Sequence, residues 1–152
     1  MSGWFFDSSA LAKRYHPETG TEKVDQIVGT TGNRIFVSEL VLIEMPSAFA
    51  IKVRTGLIGR EDAQRALAQF GDDIAVGSFV IASIREAEFT LARALIERHA
   101  FDRRLRSLDA VQLAAALILW HHGRIEYFVA SDRVLCDVAA SEGLSVVNPE
   151  AF

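Results

Sequence analysis

Residues 4–15 read Trp-Phe-Phe-Asp-Ser-Ser-Ala-Leu-Ala-Lys-Arg-Tyr, and the change of pattern inside this stretch decides the fold class. Trp4, Phe5 and Phe6 form a short aromatic run of high strand preference that stops at Asp7. Ser8 to Tyr15 then have helical composition. A strand that feeds straight into a helix is half of a crossover unit. Parallel strands need such connections, so repetition of this unit predicts an α/β fold with a mainly parallel sheet.

The unit does repeat. His16-Pro17-Glu18-Thr19-Gly20 is turn chemistry, and Thr21 is expected to cap a helix with Val24, Ile27 and Val28 on one face, stopped by Gly29 and Gly32. Arg34 to Val37 reads as the second strand. Ser38 is then a candidate cap for a helix from about Glu39 to Arg54, with Glu44 roughly a turn and a half inside it. Pro46 lacks a backbone donor and crowds the preceding turn, so a kink or break is expected near Met45. Residues 60–70, REDAQRALAQF, make an amphipathic helix with Ala63, Ala66, Leu67 and Phe70 inward.

Phe79 to Ile81 is a short third strand, and Glu86 to His99 a helix with Phe89, Leu91, Ala92, Leu95 and Ile96 as its apolar content. A basic linker, Phe101 to Arg106, leads to Ser107, read as the cap of the most apolar helix, which ends at His122 before Gly123. Tyr127 to Ala130 is a strand, Ser131 is read as capping a helix from Asp132 to Glu142, and Ser145 to Val147 closes the chain as a last strand. The total is four to five strands and about seven helices, arranged as a central sheet between helical layers. Residues 1–152 read as one domain.

Composition narrows the function. Half of the residues are hydrophobic and 24% charged, far from the signature of disorder. The net charge of −4 leaves no global positive field, so any nucleic-acid contact must come from local basic patches. The lone Cys136 cannot form an internal disulfide and offers no zinc-ligand spacing, which points to a reducing cytoplasm and a core thiol. The start has no basic n-region, and the longest apolar stretch, Ala110 to Trp120, is interrupted by Gln112 and too short to span a bilayer, so no membrane association is expected.

Asp7, Glu44, Asp109 and Asp132 each sit where an apolar strand ends or a helix begins. Segments just past the carboxyl ends of parallel strands converge on one sheet edge, where ligands bind. Capping or the helix dipole explains Asp7, Asp109 and Asp132 one at a time. Glu44, among Val41, Leu42, Ile43, Met45 and Pro46 and without a basic residue at i+3 or i+4, is left without a local reason. One shared hard cation accounts for all four, since gathered carboxylates otherwise repel one another. Oxygen-only ligands suit Mg2+, with Mn2+ an alternative, and the chemistry that follows is phosphodiester hydrolysis. Lys13 with Arg14, the Arg103, Arg104 and Arg106 cluster, and Arg133 are the local cations available for a phosphate backbone. His16, His99 and the His121-His122 pair have bland readings, the pair as positive charge at a helix carboxyl end.

Four segments taken together, FFDSSALAKRY, SELVLIEMPSA, LRSLDAVQLAAA and VASDRVL, resemble the PIN-domain nucleases, and within them the VapC-type toxins of type II toxin-antitoxin pairs. The resemblance runs from the first strand to the closing VVNPEAF, and the Met45-Pro46 pair departs from it. It implies a PIN-like three-layer sandwich and a metal-dependent endoribonuclease. It also implies that Asp7, Glu44, Asp109 and Asp132 form the metal-binding and catalytic set, with the Ser9 or Ser8 hydroxyl nearby and Asp137 an outer acid. A cognate antitoxin and a homodimer are implied as partners, and RNA as substrate. Two other readings stay open. One is a PIN-like binding domain that has lost catalysis, against which stands the retention of all four acids. The other is a phosphatase that uses Asp7 as nucleophile, against which stands the lack of a second aspartate two positions later.

Overall fold

Phe5 and Phe6 are neighbours in the chain and are both fully buried, yet they belong to different cores. Successive strand side chains point to opposite faces, and here both faces are covered. Each ring removed from water contributes on the order of 2–3 kcal/mol. The computed structural model describes residues 1–151. In chain order its elements are β1 (Gly3–Phe6), α1 (Ser8–Ala12), α2 (Thr21–Gly29), β2 (Arg34–Ser38), α3 (Val41–Arg54), α4 (Arg60–Ala75), β3 (Val80–Ala82), α5 (Glu86–His99), α6 (Ser107–His121), β4 (Tyr127–Val129), α7 (Arg133–Ser141) and β5 (Ser145–Val147).

The five strands form one all-parallel sheet in the order β3-β2-β1-β4-β5. From β1 the chain steps outward through β2 to β3, then returns to lay β4 on the other side of β1. Right-handed crossovers made in opposite directions put their helices on opposite faces. So α1 to α4 cover one face, packing Leu11, Val24, Val41, Met45, Phe49 and Phe70 against Phe6, Ile35, Val37 and Val129. Helices α5, α6 and α7 cover the other, packing Leu95, Leu113, Leu117, Leu135 and Val138 against Phe5, Phe36 and Phe128. This is the three-layer arrangement expected from the sequence. The reversal of strand order falls between β1 and β4, and a crevice opens there at the carboxyl ends of the strands.

Several local readings need correction. Ser38 is the last residue of β2 and its hydroxyl accepts the Leu40 N–H, while α3 starts at Val41. Glu44 therefore lies in the first turn, where the dipole does favour it. Helix α3 runs unbroken through Pro46; the carbonyl left without a donor belongs to Leu42, which is exposed, so water can serve it. Thr21 is the first residue of α2, capped by Gly20, and Ser107 is the first of α6 after Arg106. Asp132, not Ser131, caps α7 and accepts the Leu135 N–H at 2.9 Å.

Candidate metal centre

The local reason for each acid's position is a helix start. Asp7 follows β1 directly, its N–H donates to Val129 O of β4, and its Oδ1 accepts the Ala10 N–H at 2.9 Å as the cap of α1. Asp132 caps α7 just past β4. Glu44 and Asp109 stand in the first turns of α3 and α6. Four helix amino ends, each with partial positive charge, thus carry one carboxylate apiece. All four acids line one cleft of about 570 Å³, together with Ser8, Ser9, Arg106 and Gln112.

Each carboxylate is held differently. Asp7 is buried, with Oδ2 accepting the Ser9 hydroxyl at 2.8 Å, so both of its oxygens have donors. Glu44 Oε1 accepts from Ser8 Oγ at 3.0 Å and from Gln112 Nε2 at 2.6 Å, and Gln112 Nε2 also reaches Ser8 Oγ at 3.0 Å. The partner that the sequence did not reveal for Glu44 is therefore a pair of neutral donors on α1 and α6. Gln112 is 2% exposed and its Oε1 has no partner among the described residues. The one sequence signal for it was a polar residue interrupting the run from Ala110 to Trp120. Arg106, Asp109 and Gln112 follow one another at three-residue spacing, so they share a face of α6.

The electrostatics show a cluster short of positive charge. Burial pushes Asp7 up to about 7 from an ordinary 3.8, against the pull of its bonds from Ala10 and Ser9, with Asp109 and Glu44 adding to the rise. Asp109 is also raised, by burial first and then by Asp132, with Arg106 pulling it down and Glu44 adding to the rise. Among the described residues Arg106 is the only cation lining the cleft. Cys136 is half-buried rather than fully in the core; its thiol donates to Ala130 O and is pushed up to about 12 by burial and by Asp7, Asp132 and Asp137, which keeps it protonated.

The remaining candidates divide. Ser9 and Arg106 stand in the cleft with the four acids. Lys13 is buried and lines a neighbouring cavity that shares Ser9 and Asp132. Arg14 pairs with Asp25 at 3.1 Å, and Arg14, Arg103, Arg104 and Arg133 stand outside the lining of both cavities. Asp137 is exposed on α7 and outside the lining as well. The pair His121 and His122 is exposed at the carboxyl end of α6.

The sequence profile described as PIN domain matches residues 4–147. The chain belongs to the PIN-domain family. Among curated protein sequences nothing matches it. Solved structures share its fold at low identity. FitAcB from Neisseria gonorrhoeae aligns with TM-score 0.64 at 14% identity, over 98% of this chain and 99% of that one. VapC20 from Mycobacterium tuberculosis, described as a sarcin-ricin loop cleaving toxin, gives TM-score 0.64 at 16% identity, over 97% and 98%. VapBC2 from Rickettsia felis, bound to a DNA fragment from its promoter, gives 0.61 at 14%, over 96% and 98%.

Members of the PIN family generally use a divalent metal, and the donor set of this PIN domain fits one. Every ligand-capable group lining the cleft is an oxygen or amide donor, with no His or Cys, which suits a hard cation. Among the described residues no three His, Cys, Asp or Glu side chains form a ready-made metal cage. Magnesium tolerates this, because it keeps several waters and takes only one or two carboxylates alongside substrate phosphate. No helix among the described residues is long and apolar enough to cross a membrane.

Proposed function

We propose that this PIN domain is a Mg2+-dependent endoribonuclease, with Mn2+ a substitute, acting as the toxin of a type II toxin-antitoxin pair. The observation that carries the reading is the convergence of Asp7, Glu44, Asp109 and Asp132, from four helix starts, on one cleft where Arg106 alone among the described residues stands against the four acids. Asp7, Glu44 and Asp109 would hold the principal ion, one or two of them directly and the rest through bound water, and Asp132 would serve a second ion or the attacking water. A cation bound there supplies polarisation of the scissile phosphate and a more acidic attacking water. Ser8 and Gln112 fix Glu44 through one oxygen, and no donor among the described residues engages the other, which remains for the cleft. Arg106 is the nearest cation for substrate phosphate, with Ser9, Lys13, Arg14, Arg103, Arg104 and Arg133 as further contacts.

The description of VapC20 as a sarcin-ricin loop cleaving toxin supports RNA over other phosphodiesters, and the likeness to a toxin-antitoxin complex from Klebsiella pneumoniae supports an antitoxin partner. Exposed Leu42, Ile43, Ile51 and Leu108 on or beside the cleft walls offer that antitoxin an apolar seat. The working unit is a homodimer of single-domain chains in the cytoplasm. The test is cleavage of single-stranded RNA with Mg2+ or with chelator, by wild type and Asp7→Asn. Metal-dependent cutting by wild type alone supports the reading; equal cutting by both removes Asp7 from the mechanism.

A further inference from the structure

Beside the acid cleft lies a second cavity of about 440 Å³, whose wall includes Ser9 and Asp132 from the cleft together with Lys13, Glu18, Ser131 and Glu150. Lys13 is deeply placed, with 5% of its side chain exposed, and its Nζ lies 2.9 Å from Glu18 Oε1 and 3.8 Å from Glu150 Oε2. The second oxygen of Glu18 accepts from Lys52 Nζ at 2.9 Å, and Lys52 also meets His16 Nδ1 at 3.1 Å. Glu18 is more exposed than either lysine, at 31% against 5% and 14%. The cations are thus fixed inside and the carboxylate is the outer, displaceable partner. Both lysine bonds to Glu18 outweigh its burial and hold it below the usual carboxylate range, so it is ionised at neutral pH.

A carboxylate whose two oxygens sit on two ammonium groups has the outline of a phosphodiester with its two free oxygens. Lys13 lines this second cavity and Arg106 the acid cleft, and the two cavities share Ser9 and Asp132. A cation thus stands in each of two adjoining cavities, available to an anionic chain that crosses the acids. If an incoming phosphate takes Lys13, Glu18 keeps Lys52, so neither charge is stranded. Ser131, whose hydroxyl has no partner among the described residues, stands on the same wall.

We propose that Lys13 is a phosphate-binding residue for the RNA backbone next to the scissile position, and that Glu18 occupies its place in the free protein as an internal competitor. The proposal rests on the endoribonuclease reading and deepens it. The experiment is fluorescence anisotropy of a labelled single-stranded oligoribonucleotide in chelator, where no cutting occurs, at several salt concentrations. Glu18→Gln, nearly isosteric, is expected to tighten binding about fivefold and to steepen the salt dependence by about one phosphate contact, because Lys13, left with Glu150 at 3.8 Å, then neutralises an RNA phosphate and releases the cation condensed on it. Lys13→Gln is expected to weaken binding by a similar factor, and Lys13→Arg to retain it. If Lys13→Gln does not fold, Glu18→Gln and Lys13→Arg still decide. Binding by Glu18→Gln equal to or weaker than wild type, with a lowered Tm, would reduce the pair to a loop tether and overturn the proposal. RNA that binds with these changes but is never cut with Mg2+ would defeat the nuclease reading and leave the subsite standing. RNA that is cut normally while Glu18→Gln binds no tighter would do the reverse.

Discussion

Two places in this molecule gather ionisable groups from distant elements, and they are built on opposite electrostatic plans. At the carboxyl ends of α5 and α7, Glu142 receives Arg98 Nη1 at 2.6 Å and His99 Nε2 at 2.7 Å. Burial alone would raise that carboxyl, but the two bases outweigh it and hold it below its ordinary range. At the switch point, Asp7 is buried with other acids for neighbours and rises to about 7. The first cluster is complete as it stands and clamps two helix ends together. The second sets four acids against Arg106 alone among the described residues, and on the proposed reading it is completed by a cation. A cluster that destabilises the protein carrying it is a stronger pointer to chemistry than one that stabilises it.

The comparison predicts that activity and stability move in opposite directions in one cluster and only stability moves in the other. Asp7→Asn keeps a capping oxygen for Ala10 and loses the charge. Its RNA cleavage in Mg2+ should fall by about 10³-fold or more, measured as initial rate under saturating metal. Wild-type cutting by that variant would break the contrast at once.

The same variant should be more stable than wild type in chelator at pH 8, on the order of 2–4 kcal/mol by urea denaturation. The sign follows from the raised carboxyl. Folded Asp7 holds a proton that the unfolded chain releases between about pH 4 and 7, so its contribution weakens folding as pH climbs through that window. Asp7→Asn should flatten that slope. Glu142, with a lowered carboxyl, contributes in the other sense: its stabilisation is present above the ordinary value and is lost as pH falls through the lowered one.

Gln112→Leu removes one of the two donors on Glu44 and leaves the fold's apolar packing in place. Cleavage should drop about tenfold at limiting Mg2+ and recover at high Mg2+, as expected when a positioning residue weakens ion affinity rather than the chemical step. A drop that no metal concentration repairs would assign Gln112 a different role. The smallest effect belongs to the finished cluster. Glu142→Gln should cost about 1 kcal/mol of stability and leave cleavage unchanged, read by thermal unfolding and initial rates side by side.

Fold class was legible because both periodicities in the chain are strong. The aromatic run at Trp4 to Phe6 and the apolar runs around Ile35 and Phe128 are too short for helices, and each is followed by a helix start. Helix starts were less legible wherever two capping residues stand together. Ser131 and Asp132 both suit the role, and the choice is made by where β4 stops pairing, which is a tertiary matter. The reading of Asp7 and Asp132 as either caps or site residues posed a false choice, since they are caps that line the cleft. Glu44 does have a local reason, the first turn of α3, and its hydrogen-bond partners, Ser8 and Gln112, lie 36 and 68 residues away in sequence. Spacing along one helix cannot reveal donors that arrive from two others. The arginines at 103 and 104 illustrate the converse: close to Arg106 in sequence, they do not share its place in the cleft lining.

The central claim is that the acid cleft is an ion site, and the most direct measurement of it is anomalous scattering from crystals of the wild-type protein grown with Mn2+. A peak is expected in the cleft bounded by Asp7, Glu44, Asp109 and Asp132, absent from Asp7→Asn crystals grown alike. Manganese bound elsewhere with that cleft empty, or an equal peak in the variant, would contradict it.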